Sequence, residues 1–122
     1  DSIFNNNTIG TVERAAVHLS YTGAAPILIS NVTVTNTLSA STGYVEGALT
    51  VSGRSTSLEL VDSLVADNKL ISTNPNAAGF YSSVPTQIRR SQFMNNVSSG
   101  ATLTSANIDQ STFANNKLGL ST

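Results

Sequence analysis

A chain of 122 residues with 39% apolar content is sized for one domain, residues 1–122, with a single modest core. Only 11% of its residues are charged, against roughly 25% in typical soluble domains, and a net charge of −1 with six basic residues argues against a polyanion partner such as nucleic acid. The absence of cysteine excludes disulfides and thiolate metal sites, and no apolar run approaches the roughly 18 to 20 residues of a membrane-inserted helix. Ser, Thr and Asn supply the polarity that Lys usually provides, a balance that predicts an extracellular or cell-surface protein.

The first element, Asp1 to Asn7, reads as a strand around Phe4 that ends in a run of Asn. With no initiating Met and no signal peptide before it, Asp1 is expected to begin a processed or excised segment. Thr8 to Arg14 follow as an insertion. Within "TVERAAVHLS", 11–20, a short helix competes with an alternating strand over Ala16 to Leu19. Beyond a second insertion, Tyr21 to Pro26, the segment Ile29 to Thr37 repeats the first around Val34.

The same order then recurs. Ala48 to Val51 alternates, Gly53 to Ser57 interrupts, and Leu60 to Asn68 is a third copy around Val65. Gly79 to Ser82 precedes "SQFMNN" around Phe93, and Ala101 to Thr104 precedes "STFANN" around Phe113. Leu38 to Glu46, Leu70 to Ala77 and Val97 to Gly100 are insertions of the first register; Ser83 to Gln87 and Ser105 to Asn107 belong to the second. Anchors recurring every 20 to 31 residues suit one supersecondary unit per repeat, and period-2 segments rich in Thr, Val and Ile make it a β-solenoid.

Stacking about four to five such coils at roughly 4.8 Å aligns equivalent residues into ladders. Phe4, Val34, Val65, Phe93 and Phe113 form the expected core ladder, joined by Ile29, Leu60, Ile88 and Ile108 five places earlier. Ser2, Val32, Ser63, Ser91 and Ser111 stand two places before the anchor as small inward neighbours. After it come two polar columns, Asn6, Asn36, Asp67, Asn95 and Asn115, then Asn7, Thr37, Asn68, Asn96 and Asn116. One column is expected to turn the chain, because Asn tolerates left-handed backbone. The other, if it points inward, forms a ladder of amides bonded to the coils above and below; the pattern alone leaves open which is which, and Asp67 in the first column is placed to accept from Asn neighbours.

"FNNN" at 4–7, "FMNN" at 93–96 and "FANN" at 113–116 resemble the Phe-x-x-Asn motif of right-handed parallel β-helix repeats in polymorphic outer-membrane proteins and related bacterial surface adhesins. "EGAL" at 46–49, "AGF" and "SGA" resemble the glycine motif that accompanies it, while Val34, Val65 and Thr37 depart from the Phe and Asn positions. The resemblance implies an all-β, right-handed parallel β-helix; pectate-lyase-like enzymes and phage tail proteins share such coils.

No catalytic group, cofactor or metal site is expected. The carboxylates Asp1, Glu13, Glu46, Glu59, Asp62, Asp67 and Asp109 do not fall in one outward column, and Glu59 and Asp62 are placed to pair with Arg89 and Arg90 of the next coil. His18, the only histidine, should be solvated. Asn31, Asn6 and Asn96 head Asn-x-Ser/Thr triplets and are candidate glycosylation sites, with Asn31 favoured because it faces outward. The chain opens inside one copy at "DSIFNNN" and closes just after another at "STFANNKLGLST", so both end coils are expected to be uncapped.

These features predict a non-enzymatic structural module that stacks end to end as a filament or stalk, its partners being copies of itself or flanking β-helix coils. The alternative is an adhesin that binds glycans or a host protein through its stacked loops, with Tyr21, Tyr44 and Tyr81 as stacking platforms. A polysaccharide lyase or hydrolase ranks third.

Overall fold

The computed structural model describes residues 1–9, 15–39 and 44–121. Its strands, in chain order, are β1 (Ser2–Asn5), β2 (Thr8–Ile9), β3 (Ala15–Tyr21), β4 (Ile27–Ser30), β5 (Val32–Thr35), β6 (Leu38–Ser39), β7 (Gly47–Gly53) and β8 (Leu58–Val61). They continue as β9 (Leu64–Ala66), β10 (Ala78–Ser82), β11 (Thr86–Arg89), β12 (Gln92–Met94), β13 (Ser99–Leu103), β14 (Ala106–Asp109), β15 (Thr112–Ala114) and β16 (Leu118–Ser121). No helix occurs among the described residues. The segment weighed between helix and strand is strand from Ala15 onward, and its first residues, 11–14, lie outside the described ones.

Every strand pair is parallel. The strands sort into three long sheets, β1-β5-β9-β12-β15, β3-β7-β10-β13-β16 and β4-β8-β11-β14, with a short pair β2-β6. Each passage of the chain visits the second sheet, then the third, then the first. This architecture of stacked parallel sheets fits a β-solenoid.

Two strands per repeat were expected, and the structure has three. The segment Ile29 to Thr37 is cut at Asn31, which has φ 55°, into β4 and β5. Asp62, Arg90 and Gln110 make the same break, at φ 51°, 47° and 48°. Ile29 and Val34 both lie in the core although five residues apart, an odd offset that an unbroken strand does not allow. A left-handed residue between them resets the alternation, and that odd offset is the sequence signal that marks the break.

Several predicted insertions are also shorter than read. Thr8, Ile9, Leu38 and Ser39 pair as β2 and β6, Thr86 and Gln87 begin β11, Ser99 and Gly100 begin β13, and Ala106 and Asn107 begin β14. Residues 10–14 and 40–43 of the first insertion register lie outside the described residues.

The core runs along the stack between the sheets. Leu49, Leu58, Leu60, Val65, Phe80, Ile88 and Phe93 are fully buried, each contributing roughly 1.5–3 kcal/mol by removal from water. Pairing registers place Phe4 beside Val34, Val34 beside Val65, Val65 beside Phe93 and Phe93 beside Phe113. The ladder is buried only in its middle. Phe4, assigned to the core, is 37% exposed because its strand β1 has a neighbour on one side alone, and Phe113 and Ile108 are partly buried for the same reason at the other end.

Candidate functional site

Among the described residues, the arrangement that carries chemistry is the set of polar ladders running from coil to coil. In the first polar column Asn6, Asn36, Asp67, Asn95 and Asn115 all have φ between 54° and 57°. These residues turn the chain, and their side chains face solvent. Two places beyond an inward anchor, strict alternation would point them into the core; the left-handed backbone turns them out and brings the next residue in.

That next column is therefore an amide ladder and not a turn. Asn68 and Asn96 are buried, with Asn116 partly so. Asn68 Nδ2 donates to Asn96 Oδ1 at 2.9 Å and to the Val34 carbonyl at 3.2 Å. Asn96 Nδ2 repeats this with Asn116 Oδ1 at 2.9 Å and the Val65 carbonyl at 3.1 Å, and Asn116 Nδ2 reaches the Phe93 carbonyl at 2.8 Å. Each side-chain oxygen also accepts a backbone N–H from the preceding coil, from Thr37, Asn68 and Asn96 in turn. Burying an amide without partners costs about 1–3 kcal/mol, and repetition removes that cost.

Small residues on the second sheet make room for the rungs. A Cβ at Gly79 would lie 2.9 Å from the Asn96 side-chain carbon, and one at Gly100 would lie 2.7 Å from Asn116 Nδ2. The glycines of "AGF" and "SGA" are thus explained by close approach of the amide ladder.

The ladder is broken where Thr37 stands in place of Asn. Thr37 Oγ1 and Asn7 Nδ2 are both buried without a hydrogen-bond partner. Asn is close to Thr in volume and restores both an acceptor for Asn7 and a donor toward Asn68. Thr37→Asn is expected to stabilise the protein by about 1 kcal/mol, measured as a raised urea midpoint at unchanged slope; a lowered midpoint would show that this rung cannot accept an amide.

Serine builds a second ladder, where the sequence suggested only small size. Ser63, Ser91 and Ser111 Oγ donate to the carbonyls of Val61, Arg89 and Asp109, two residues earlier, at 2.8–2.9 Å. They accept the N–H of Val32, Ser63 and Ser91 from the preceding coil at 3.1–3.2 Å. This supplies partners beside the left-handed breaks at Asp62, Arg90 and Gln110. On the outer column Asn95 Nδ2 donates to Asp67 Oδ1 at 3.0 Å and Asn115 Nδ2 to Asn95 Oδ1 at 3.3 Å.

The charged side chains pair across coils. Arg90 grips Asp62 in a bidentate contact at 2.8 and 2.9 Å, and Arg89 Nη1 reaches Glu59 Oε1 at 3.1 Å. The hydrogen bond from Arg90 holds the Asp62 carboxyl below its ordinary value of 3.8. A depressed folded-state value means that the pair's stabilisation is complete above about pH 4 and is lost as pH falls through the folded value. Both groups are solvent exposed, so the effect on stability is small. The Asp62 carboxyl resonance is expected to titrate below 3.8 and to return toward it in Arg90→Ala; equal midpoints in the two proteins would remove the pair's influence.

The remaining sites are dispersed. Among the described residues no group of three His, Cys, Asp or Glu side chains is placed to hold a metal ion. His18 is exposed and shares a 2.8 Å hydrogen bond with Ser52 Oγ. Asn31 and Asn6 are exposed, whereas Asn96 is 1% exposed and fully engaged in the amide ladder, so it is withdrawn as a glycosylation candidate. Tyr21, at the end of β3, is 37% exposed and packs over Gly23; Tyr44 is 55% exposed, and Tyr81 is half-buried within β10 beside Thr50 and Thr102. Tyr21 and Tyr81 stand three columns apart in their sheet and form no common platform.

Fold and ladders together define the class, an all-β protein of stacked parallel sheets with a hydrogen-bonded polar interior. Comparison with family models, with curated proteins and with solved structures finds no match.

Proposed function

We propose that the chain is an extracellular structural module, a right-handed β-helix of about four to five coils that extends end to end as a filament or stalk of a surface protein. The observation that supports this reading is the direction of the polar interior. The ladders of Ser63, Ser91 and Ser111 and of Asn68, Asn96 and Asn116 bond from one coil to the next along the stack. Chemistry spent on coil-to-coil cohesion suits a load-bearing spacer, and a surface of hydroxyls and amides suits an extracellular setting.

Negative-stain microscopy of the purified chain over a range of concentrations tests the proposal. Rods of constant width that lengthen with concentration are expected; a monomer at every concentration overturns the end-to-end reading.

A groove favours a second reading, the adhesin. It has a volume of about 390 Å³ and crosses the third sheet, with Leu28, Glu59, Gln87 and Asn107 along its floor and Pro26 and Pro85 at its rim. Binding on a glycan array that is lost in Glu59→Ala together with Gln87→Ala would support it. A lyase would need uncommitted carboxylates, whereas Glu59 and Asp62 are engaged by Arg89 and Arg90.

A further inference from the structure

The two inner ladders fail at the same place. In the passage that holds β5, Val32 stands where Ser63, Ser91 and Ser111 stand later, and Thr37 stands in the column of Asn68, Asn96 and Asn116. Val32 has no hydroxyl to accept the Ser2 N–H, which goes instead to the Asn31 carbonyl at 3.2 Å. Thr37 has no amide to join Asn7, and its Oγ1 is buried without a partner. The anchor column changes there too: Phe4 lies beside Val34, whereas Phe93 stacks on Phe113 with ring centroids 4.6 Å apart.

The loss is one-sided. Toward β9 the same passage is laddered throughout, with the Val32 N–H on Ser63 Oγ at 3.2 Å, the Thr37 N–H on Asn68 Oδ1 at 2.9 Å and Asn68 Nδ2 on the Val34 carbonyl at 3.2 Å. Toward β1, the side-chain bonds among the described residues are those of the outer column, Thr35 Oγ1 at 3.2 Å and Asn36 Nδ2 at 2.9 Å, both to Asn5 Oδ1 and both exposed to water. Exposed bonds add little, because water offers the same groups equivalent partners. Beside them run the backbone bonds of β1 with β5 and of β2 with β6.

We propose that this junction is a built-in breakpoint, at which β1 and β2 part from β5 and β6 as a unit while the ladders from Ser63 to Ser111 and from Asn68 to Asn116 stay closed. A buried polar network is strong where every member is satisfied and weak where one is missing. Both columns place that weakness in a single inter-strand contact. Opening there hydrates the Thr37 hydroxyl and the Asn7 amide, which are orphaned in the closed state, and frees the β5 edge from Val32 to Thr35. The contact lies inside the chain, so the inference is independent of the end-to-end reading.

Hydrogen exchange read amide by amide tests the breakpoint. The Asn6 N–H on the Thr35 carbonyl and the Leu38 N–H on the Asn7 carbonyl cross the junction; the Asn95 N–H on the Ala114 carbonyl and the Lys117 N–H on the Asn96 carbonyl occupy the same two columns between β12 and β15. β1 and β15 each have one neighbour in their sheet, so the two pairs differ in their ladders and not in their place in the sheet. Asn6 and Leu38 are expected to exchange at least about tenfold faster than Asn95 and Lys117 after correction for intrinsic rates. Val32→Ser combined with Thr37→Asn supplies both missing rungs. In register the column of Gly79 continues as Ala48 and Ala16, and the ladder accommodates Asn68 with Ala48 present, so an amide at position 37 has room. In the double variant the ratio is expected to fall below about threefold, with Asn95 and Lys117 unchanged as the mark of an intact fold. Thr37→Asn alone, which leaves Val32 packed against the core, is expected to lie between the parent and the double variant. Similar exchange at the two junctions of the parent, or a ratio that neither variant lowers, overturns the breakpoint.

Discussion

Phe93→Ala is expected to lower the unfolding free energy by about 3–5 kcal/mol. The ring is fully buried, stacked on Phe113 with centroids 4.6 Å apart and planes 8° from parallel, and 6.1 Å from Phe80. Truncation loses the transfer energy of the ring, two aromatic contacts and the support of both neighbouring coils. The cavity would sit inside the stack, where hydrogen-bonded strands on either side limit collapse. Against a total of about 5–15 kcal/mol for an ordinary domain, such a loss is a large fraction. Phe93→Leu should recover most of it, and Phe4→Ala should cost far less because Phe4 lies at an outer face. Urea unfolding of the three variants checks the order; equal losses at Phe4 and Phe93 would contradict the burial gradient along the ladder.

The second large effect is expected at Asn96, which looks like one more turn residue in the sequence. Asn96→Ala removes donors to the Val65 carbonyl and Asn116 Oδ1, and removes the oxygen that accepts both Asn68 Nδ2 and the Asn68 N–H. Asn68 keeps its bond to the Val34 carbonyl, so the damage is partial at that rung. Orphaned buried groups at about 1–3 kcal/mol each, combined without full additivity, give an expected loss of roughly 3–5 kcal/mol. Asn95→Ala, one residue earlier, exchanges a solvent-facing amide at φ 56° for a Cβ residue that tolerates the left-handed region less well, a cost of about 1 kcal/mol. The contrast between these adjacent substitutions, read as shifts in denaturant midpoint, separates an inward ladder from a turn. Equal shifts would refute the assignment. Asn116→Ala should fall between them, since its rung is only partly buried.

Much of this was legible in the repeat. Where Phe93 and Phe113, or Asn96 and Asn116, recur in the same place, only parallel in-register stacking brings like onto like, and the strands pair in that register. The cross-coil pairing of Glu59 and Asp62 with Arg89 and Arg90 could likewise be read from their columns. The serine ladder was half legible: the column was plain, but its hydrogen bonds were not, because a serine two residues past a carbonyl says nothing of backbone geometry until the left-handed residue between them is known.

The sequence by itself therefore determined the period, the parallel stacking and which residues share a column. Only the tertiary structure decided which way each column points. The physical reason is the left-handed residue, present twice per coil at positions such as Asp62 and Asp67. Each one inverts the inward and outward alternation downstream. Asn tolerates that conformation both as a turn and beside one, so identical letters at Asn95 and Asn96 conceal opposite environments: the first lies in solvent, and the second holds three coils together.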